Sequence, residues 1–592
     1  MDRLQKLDAL RSLISRRGID FLVIPSTGPN FSDQVPDHWK IIEWLTGFTG
    51  SNAVVVVSRS FAGLWTDSRY YLQAGKQLTG SGFDLMFPGI LQSPDYTDWL
   101  ADNCNNGDAI GFDGRILSIS DFRKINNKLK SRSVNYLTDC DLISGIWTDR
   151  PEMAGAAAWD HPVRFSGKDR SSKLSEVREQ MRKRSIDQHL LTSPEDIMWL
   201  LNIRGYDLEF TPVFLSYFLI SEGSAVLFAG IEKIRPELLH EFSGLKIQVK
   251  EYNSVTGALS SLKEGSSLLV SPDTTSVTLY NSIPESVRII EDVSIPCRMK
   301  AVKNQVEIKN TEDVMVKDGV ALTKFFFWLE NNIGNPGMTE ISVASKLQEF
   351  RESQIDYLGP SFKTISAFNE NSAFPHYETG TGFSATFEGN GILLIDSGGQ
   401  YTGGTTDITR TIVIGTPTVK QRRDFTLVLK GHIALACAKF PAGTKGYQLD
   451  LLARKTLWEN GINYGHGTGH GVGFCLNVHE GPQSISPAAN KTIIEAGMIL
   501  SNEPAVYREG EYGIRTENLM ICYEDEETEF GQFLKFDTLS LCYIDKNLLD
   551  KTLLSDQEVA WLNRYHEELF SKIAPFLTVE EKDWLRLKTN SV

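Results

Sequence analysis

Two apolar runs in the last third of the chain close on a carboxylate, and this limits the possible folds more than any other feature. Residues 391–396 read Gly-Ile-Leu-Leu-Ile-Asp and residues 497–503 read Gly-Met-Ile-Leu-Ser-Asn-Glu, so each resembles a buried strand ending in an acid, Asp396 or Glu503. A second acid follows each run: Asp407 within Thr-Thr-Asp-Ile-Thr-Arg-Thr, and Glu517 within Tyr-Gly-Ile-Arg-Thr-Glu-Asn. Taking a carboxylate out of water is expensive unless it is paired or bound to a cation, and two close together repel unless a cation sits between them. Taken alone, the Asp396 and Asp407 pair fits two unrelated turn aspartates equally well.

A histidine cluster lies between the runs. His466, His470 and His479 fall within fourteen residues of a chain that has ten histidines, and four glycines surround the first two. Glycines let the backbone pass close to bound groups. One histidine is more often structural than a ligand, but three so close together are harder to set aside. The spacing matches neither a GxGxxG nucleotide loop nor a P-loop. Together the acids and histidines suit two adjacent oxygen-rich metal sites, for manganese, cobalt or zinc rather than calcium. Paired ions about 3.5–4 Å apart activate a water and stabilise the oxyanion formed when it attacks a carbonyl. Such a site hydrolyses its substrate without a nucleophilic side chain.

With 592 residues the chain exceeds one hydrophobic core, and two to four domains are expected. Residues 19–24 read as a buried strand after an N-terminal helix, with further strands at 54–57 and 61–65. Ser185-Ile186-Asp187 leads to Trp199-Leu200 and Gly205 as Gly18-Ile19-Asp20 leads to Trp44-Leu45 and Gly47, which two related α/β domains in tandem would explain. A linker is expected at 150–170, and a new domain near Pro296, before a long helix through Val306, Met315 and Val320. Beyond about Leu534 the pattern predicts a helical extension for packing or dimerisation: Ser555 with Glu558, and Thr578 with Glu581, have capping-box form. The predicted division is 1–150, 151–298, 299–530 and 531–592.

The net charge of -15 argues against a nucleic-acid partner. The charged start lacks the apolar run of a signal peptide, and no later run reaches the length of a membrane span. Seven scattered cysteines, with no CxxC pair, suggest reduced thiols. A cytoplasmic protein is the expectation.

The motifs LIDSGGQY, TTDITRT, HGTGHGVG, NVHEGP, NEP and GIRTEN resemble those of the Xaa-Pro aminopeptidases (aminopeptidase P), in the pita-bread group with prolidase, methionine aminopeptidase and creatinase. Gly47-Phe48-Thr49-Gly50-Ser51 and Trp65-Thr66-Asp67-Ser68-Arg69-Tyr70 resemble the first domain of the long, three-domain form, so nearly the whole chain is covered. The resemblance implies two tandem creatinase-like N-terminal α/β domains followed by a pita-bread catalytic domain with a helical C-terminal extension, α/β and α+β overall. It implies cleavage between any first residue and a penultimate proline of peptide substrates, two divalent ions per chain with manganese ahead of zinc or cobalt, and a homodimer.

By the same resemblance Asp396, Asp407, His470, Glu503 and Glu517 are the metal ligands, with Asp407 and Glu517 bridging. Glu503 also accepts the proton of the attacking water, and Arg515 pairs with Asp396 and orients it. His376 in Phe-Pro-His-Tyr, His466 and His479 resemble the substrate-binding and proton-transfer histidines, since the nitrogen of proline must be protonated as it leaves. Residues 369–375, Asn-Glu-Asn-Ser-Ala-Phe-Pro, depart from the small, aliphatic run of the family beside the first-residue pocket. Arg69 either approaches a substrate or a neighbouring subunit, or is a solvated loop arginine. Rival readings are prolidase, restricted to dipeptides, and a metal-free peptide-binding module on the same fold, which would have lost ligands that this chain keeps.

Overall fold

A computed structural model describes residues 1–87, 94–153, 155–335, 337–380, 384–387 and 389–592. The chain forms two compact units, residues 1–162 with 168–298, and residues 163–167 with 299–592.

The first unit holds two six-stranded sheets of one plan. In the first sheet Phe21–Pro25 is central, antiparallel to Ala53–Ser58 and parallel to Ala109–Gly111; Ala62–Thr66 and Asp84–Met86 extend one side and Asn135–Leu137 closes the other. The second repeats this order and these directions around Gln188–Leu191, with Tyr217–Ser221, Ala225–Phe228 and Ile247–Lys250 on one side and Ser267–Val270 and Arg288–Glu291 on the other.

The internal echo of the sequence has a physical origin. Asp20 and Asp187 each stand just before the central strand, and each carboxylate accepts the backbone N–H that opens the neighbouring parallel strand, Ala109 at 2.9 Å and Ser267 at 2.8 Å. The helices Ile41–Thr46 and Pro194–Leu201 end on Gly47 and Asn202, both left-handed. Asn202, rather than Gly205, is thus the counterpart of Gly47, because asparagine also tolerates that conformation. The stretch expected to be a linker contains the short strand Trp159–Asp160, paired with Ile203–Arg204, and the helical turn Val163–Ser166; its residue 154 lies outside the described residues.

The second unit opens with the helix Gln305–Asn332, capped by Asn304 and Glu307 in a reciprocal box. Its apolar face, including Val320, Phe325, Phe326 and Leu329, shares a core with Leu393 and Ile395 of the strand that carries Asp396, and with Leu569, Ile573 and Leu585 near the C-terminus. Gly391–Ser397 is the middle of an antiparallel trio with Ile365–Phe368 and Ile408–Ile414. A six-stranded sheet runs in the order Lys439–Pro441, Gly531–Thr538, Asn518–Thr528, Ile499–Asn502, Gly469–Gly471, Glu480–Ile485.

Gly531–Thr538 is therefore a strand, where the sequence reading opens the helical extension. Leu534 and Phe536 are buried at a period of two, which a strand satisfies and a helix does not. The helices Asp556–Ile573 and Val579–Thr589 follow, each on its predicted capping box. All seven cysteines are free thiols, and no helix of the described residues is long and apolar enough to cross a membrane.

Candidate metal centre

Asp396 lies near the end of the buried strand Gly391–Ser397. Its Oδ2 accepts from Arg515 Nη2 at 2.5 Å, whereas its buried Oδ1 has no hydrogen-bond partner. An anionic oxygen left so in a core calls for a cation or a proton. Asp407 precedes the adjacent strand Ile408–Ile414, and Thr409 ties that strand to Glu517 twice. Its hydroxyl donates to Glu517 Oε2 at 2.7 Å, and its carbonyl accepts the Glu517 N–H at 3.1 Å. The same hydroxyl accepts from Arg515 Nε at 3.0 Å. One ligand atom from each of Asp407, His470 and Glu517 can be chosen so that all lie within 4.8 Å of one another.

His470 reaches this point from the strand Gly469–Gly471. A Cβ on Gly469 would lie 2.0 Å from the Ser501 carbonyl oxygen, so only glycine lets the strand approach Ile499–Asn502. The Gly471 carbonyl, 2.9 Å from His470 Nδ1, can only accept; the proton is therefore assigned to Nδ1. Nε2 then faces Asp407 Oδ2 at 3.4 Å and Glu503 Oε1 at 3.5 Å. A lone pair aimed at two carboxylates is stable only with a proton or a metal ion on the line.

The electrostatics carry the same message. Burial would lower the His470 pKa, but Asp407 and Glu503 outweigh it and hold it up to about 9. Burial pushes Glu503 up to about 7 against the pull of His470 and Arg515, and Asp407 adds to the rise. Asp396 and Glu517 are raised as well, by burial first; Arg515 opposes this and neighbouring carboxylates reinforce it. These are four acids crowded around one guanidinium and the nearby imidazoles, a donor set that fits divalent cations.

The other predicted residues gather around this cluster. His466 Nδ1 is 2.7 Å from the Gly467 carbonyl and 3.7 Å from Glu503 Oε2, and its Nε2 meets the Tyr507 hydroxyl at 2.9 Å. Arg515 Nη1 donates to that hydroxyl at 2.6 Å. The ring of His479 stands nearly perpendicular to that of His470, with centroids 4.4 Å apart. The half-buried His376 is connected through its neighbour, since the Pro375 carbonyl accepts from Arg515 Nη1 at 3.4 Å. Arg69 belongs to the first unit, where it forms a bidentate pair with Asp67 at 2.8 and 2.7 Å instead of standing solvated.

Residues 310–524 match metallopeptidase family M24, residues 6–144 and 149–307 match creatinase/prolidase N-terminal domains, and residues 532–592 match the C-terminal region of peptidase M24. Xaa-Pro aminopeptidase 1 of Dictyostelium discoideum is 36% identical over 605 residues, covering 98% of this chain and 95% of that protein. The chain belongs to the Xaa-Pro aminopeptidase family. A probable Xaa-Pro aminopeptidase P of Coccidioides posadasii is 34% identical over the full length of both proteins. Among solved structures, the X-prolyl aminopeptidase of Caenorhabditis elegans, described as a cytosolic enzyme with a di-nuclear active site, matches with a TM-score of 0.95 and 34% identity over all of both chains. A prolidase from Thermococcus sibiricus shares the fold over 64% of this chain, with a TM-score of 0.50 and 21% identity.

Within this family member, sequence reasoning missed the residues behind the cluster. Arg410, from the same TTDITRT motif, makes six hydrogen bonds: to the carbonyls of Tyr543, Thr409, Glu517 and Cys542, to Asn518 Oδ1, and to the Tyr565 hydroxyl at 2.9 Å. The C-terminal extension, read as packing or dimerisation material, thus reaches the backbone of Glu517 through Arg410. Arg454 acts likewise for the histidines. Paired with Asp450 at 2.6 Å, it donates to the carbonyls of Tyr464 and His466. An arginine inside an apolar strand pattern was the available signal for Arg410; nothing local marks Tyr565.

Proposed function

We propose that this protein is a two-metal aminopeptidase that removes the first residue of peptides whose second residue is proline. The observation that carries the proposal is the convergence of Asp407, His470 and Glu517 beside the orphaned oxygen of Asp396 in one buried pocket of charge. Similarity over the full length to X-prolyl aminopeptidases, against partial coverage by a prolidase, supports the choice of substrate.

Asp396, Asp407, His470, Glu503 and Glu517 would hold two divalent cations, manganese before zinc or cobalt. Bound there, the ions would polarise the scissile carbonyl and acidify a water. Glu503, set between His470 and His466, takes the proton of that water. Arg515 fixes Asp396 with one amino group and Tyr507 with the other, so it aligns a ligand and His466 together. His479 is assigned to the scissile carbonyl, and His376 and His466 to orienting the peptide and delivering a proton to the proline nitrogen.

The first two domains, 1–150 and 151–298, precede a catalytic domain at 299–530 and an extension at 531–592. The protein works in the cytoplasm, a reading supported by the cytosolic relative, and as a homodimer by resemblance to the family; light scattering at a monomer mass would refute the dimer. The activity is tested with Arg-Pro-Pro, Arg-Ala-Ala and the dipeptide Arg-Pro, each with manganese and after chelation. Arginine release from the first alone, lost on chelation and restored by metal, is the expected result. Cleavage of the dipeptide alone would make the protein a prolidase, and no cleavage with no bound metal would make it a binding module.

A further inference from the structure

The segment leading to His376 folds around a carboxylate that no step of the proposed reaction uses. Glu340, the first residue of the helix Glu340–Glu352, is fully buried. Its Oε1 accepts from the Phe368 N–H at 2.7 Å and from Asn371 Nδ2 at 3.0 Å. Its Oε2 accepts from the Tyr377 hydroxyl at 2.8 Å, the Ala385 N–H at 2.9 Å and Asn371 Nδ2 at 3.2 Å. Asn371 also donates to the Tyr377 hydroxyl at 3.1 Å. The donors thus come from the start of the 3₁₀ turn Asn369–Ala373, from within it, and from both sides of His376.

Two further clips fix the same segment to the catalytic strands. Asn369, at a left-handed φ of 48°, accepts the Ile392 N–H at 3.0 Å on the strand that carries Asp396. Ser372 Oγ accepts the Gly513 N–H at 2.7 Å, and a Cβ on Gly513 would lie 1.8 Å from the Ser372 carbonyl oxygen. An ionised carboxylate that gathers several donors holds them more firmly than neutral acceptors do. Asn369 and Asn371 thus anchor the segment through polar contacts to a strand and to a carboxylate.

We propose that Glu340 is a positioning residue for the substrate: through Asn371 and Tyr377 it sets the His376 segment against the strands that carry Asp396 and Arg515 and, with it, the seating of the peptide. This rests on the aminopeptidase reading, which the wild-type protein tests separately in the same assay. The variants are Asn371→Ala, Tyr377→Phe and Glu340→Gln, each measured for metal content, melting temperature, and kcat and KM on Arg-Pro-Pro and Gly-Pro-Pro.

Asn371→Ala and Tyr377→Phe, which leave Glu340 in place, are expected to keep the wild-type metal content. Their kcat/KM on Arg-Pro-Pro should fall by about ten- to a hundredfold, as small misplacements in active sites do, with a raised KM and a changed ratio between the two peptides. Adding Tyr377→Phe to Glu340→Gln should cost less than the product of the separate effects. A common loss on both peptides at unchanged KM and unchanged ratio, matching only the loss of folded protein, overturns the proposal even if Glu340→Gln does not fold. Failure of the wild type to release the first residue of either peptide would instead refute the aminopeptidase reading.

Discussion

Two groups of buried carboxylates in the catalytic unit are balanced in different ways. Asp318 takes a bidentate pair from Arg351, at 2.8 and 3.1 Å, and the hydroxyl of Tyr401 at 2.9 Å. Asp424 takes Arg508 at 2.5 and 3.0 Å and the hydroxyl of Tyr512 at 2.8 Å. Glu480 sits between Lys303 and Lys300. Each of these acids meets at least one cation. Asp396, Asp407, Glu503 and Glu517 instead share one guanidinium, Arg515, and two imidazoles, His470 and His466, and three of the four have pKa values pushed upward. Charge balanced from within builds the fold, whereas charge in excess builds a site, because only a ligand from outside can complete it.

The largest effect that could break this contrast comes from removing one acid of each kind. Asp407→Asn or Glu517→Gln should leave fewer than two metals per chain and lower kcat by roughly a thousandfold or more, the upper range for losing one group that stabilises a transition state. Asp318→Asn should retain both metals and most of kcat per folded molecule while costing about 3–5 kcal/mol of stability, because Arg351 is left buried without its counter-charge. Loss of metal in the Asp318 variant, or its retention in the Asp407 variant, would erase the distinction.

A middle-sized effect is expected at Arg515. Arg515→Lys keeps the charge but loses the simultaneous grip on Asp396, Thr409 and Tyr507, and metal affinity should weaken by about 10–100-fold, read by competition with a chelator.

A smaller effect appears with pH. Glu503 rises from 4.5 to about 7 in the folded, metal-free protein, so its protonated form is favoured there, and the fold loses stability as pH climbs through that window. His470, raised from 6.5 to about 9 by Asp407 and Glu503 against its burial, gives a contribution that is likewise present at low pH and lost as pH rises. A cation bound there would replace those protons. Added manganese should therefore raise the melting temperature of chelator-treated protein more at about pH 8 than at about pH 5.5, and an equal gain at both would mean that the acids are not in excess.

The smallest effect is expected behind the site. Tyr565→Phe removes one of the six partners of Arg410 and should cost about 0.5–1.5 kcal/mol, measured by urea unfolding, with metal content unchanged.

Legibility in the sequence followed the same division. Asp396 and Glu503 stood out because an acid closing an apolar run breaks the local pattern, and the tandem domains stood out because Asp20 and Asp187 do one job at two strand starts. Partners far away in the chain stayed hidden. Nothing near Glu340 announces that it binds Asn371 and Tyr377, 31 and 37 residues away, and nothing near Arg410 points to the C-terminal helix. Gly531–Thr538 was misplaced for a related reason: its pairing with Asn518–Thr528 is set across a turn, and its alternation is too short to outweigh the helices that follow.

The hydrogen bond from Arg410 to Tyr565 spans 155 residues of chain. A ribosome adding about 5–20 residues per second takes roughly 8–30 s to travel that distance. During that interval Glu517 is either unmade or lacks the brace behind its carbonyl. The brace behind the Glu517 carbonyl is therefore the last part of the site's surroundings to be made, after Asp396, Asp407, His470, Glu503 and Glu517 are all in the chain.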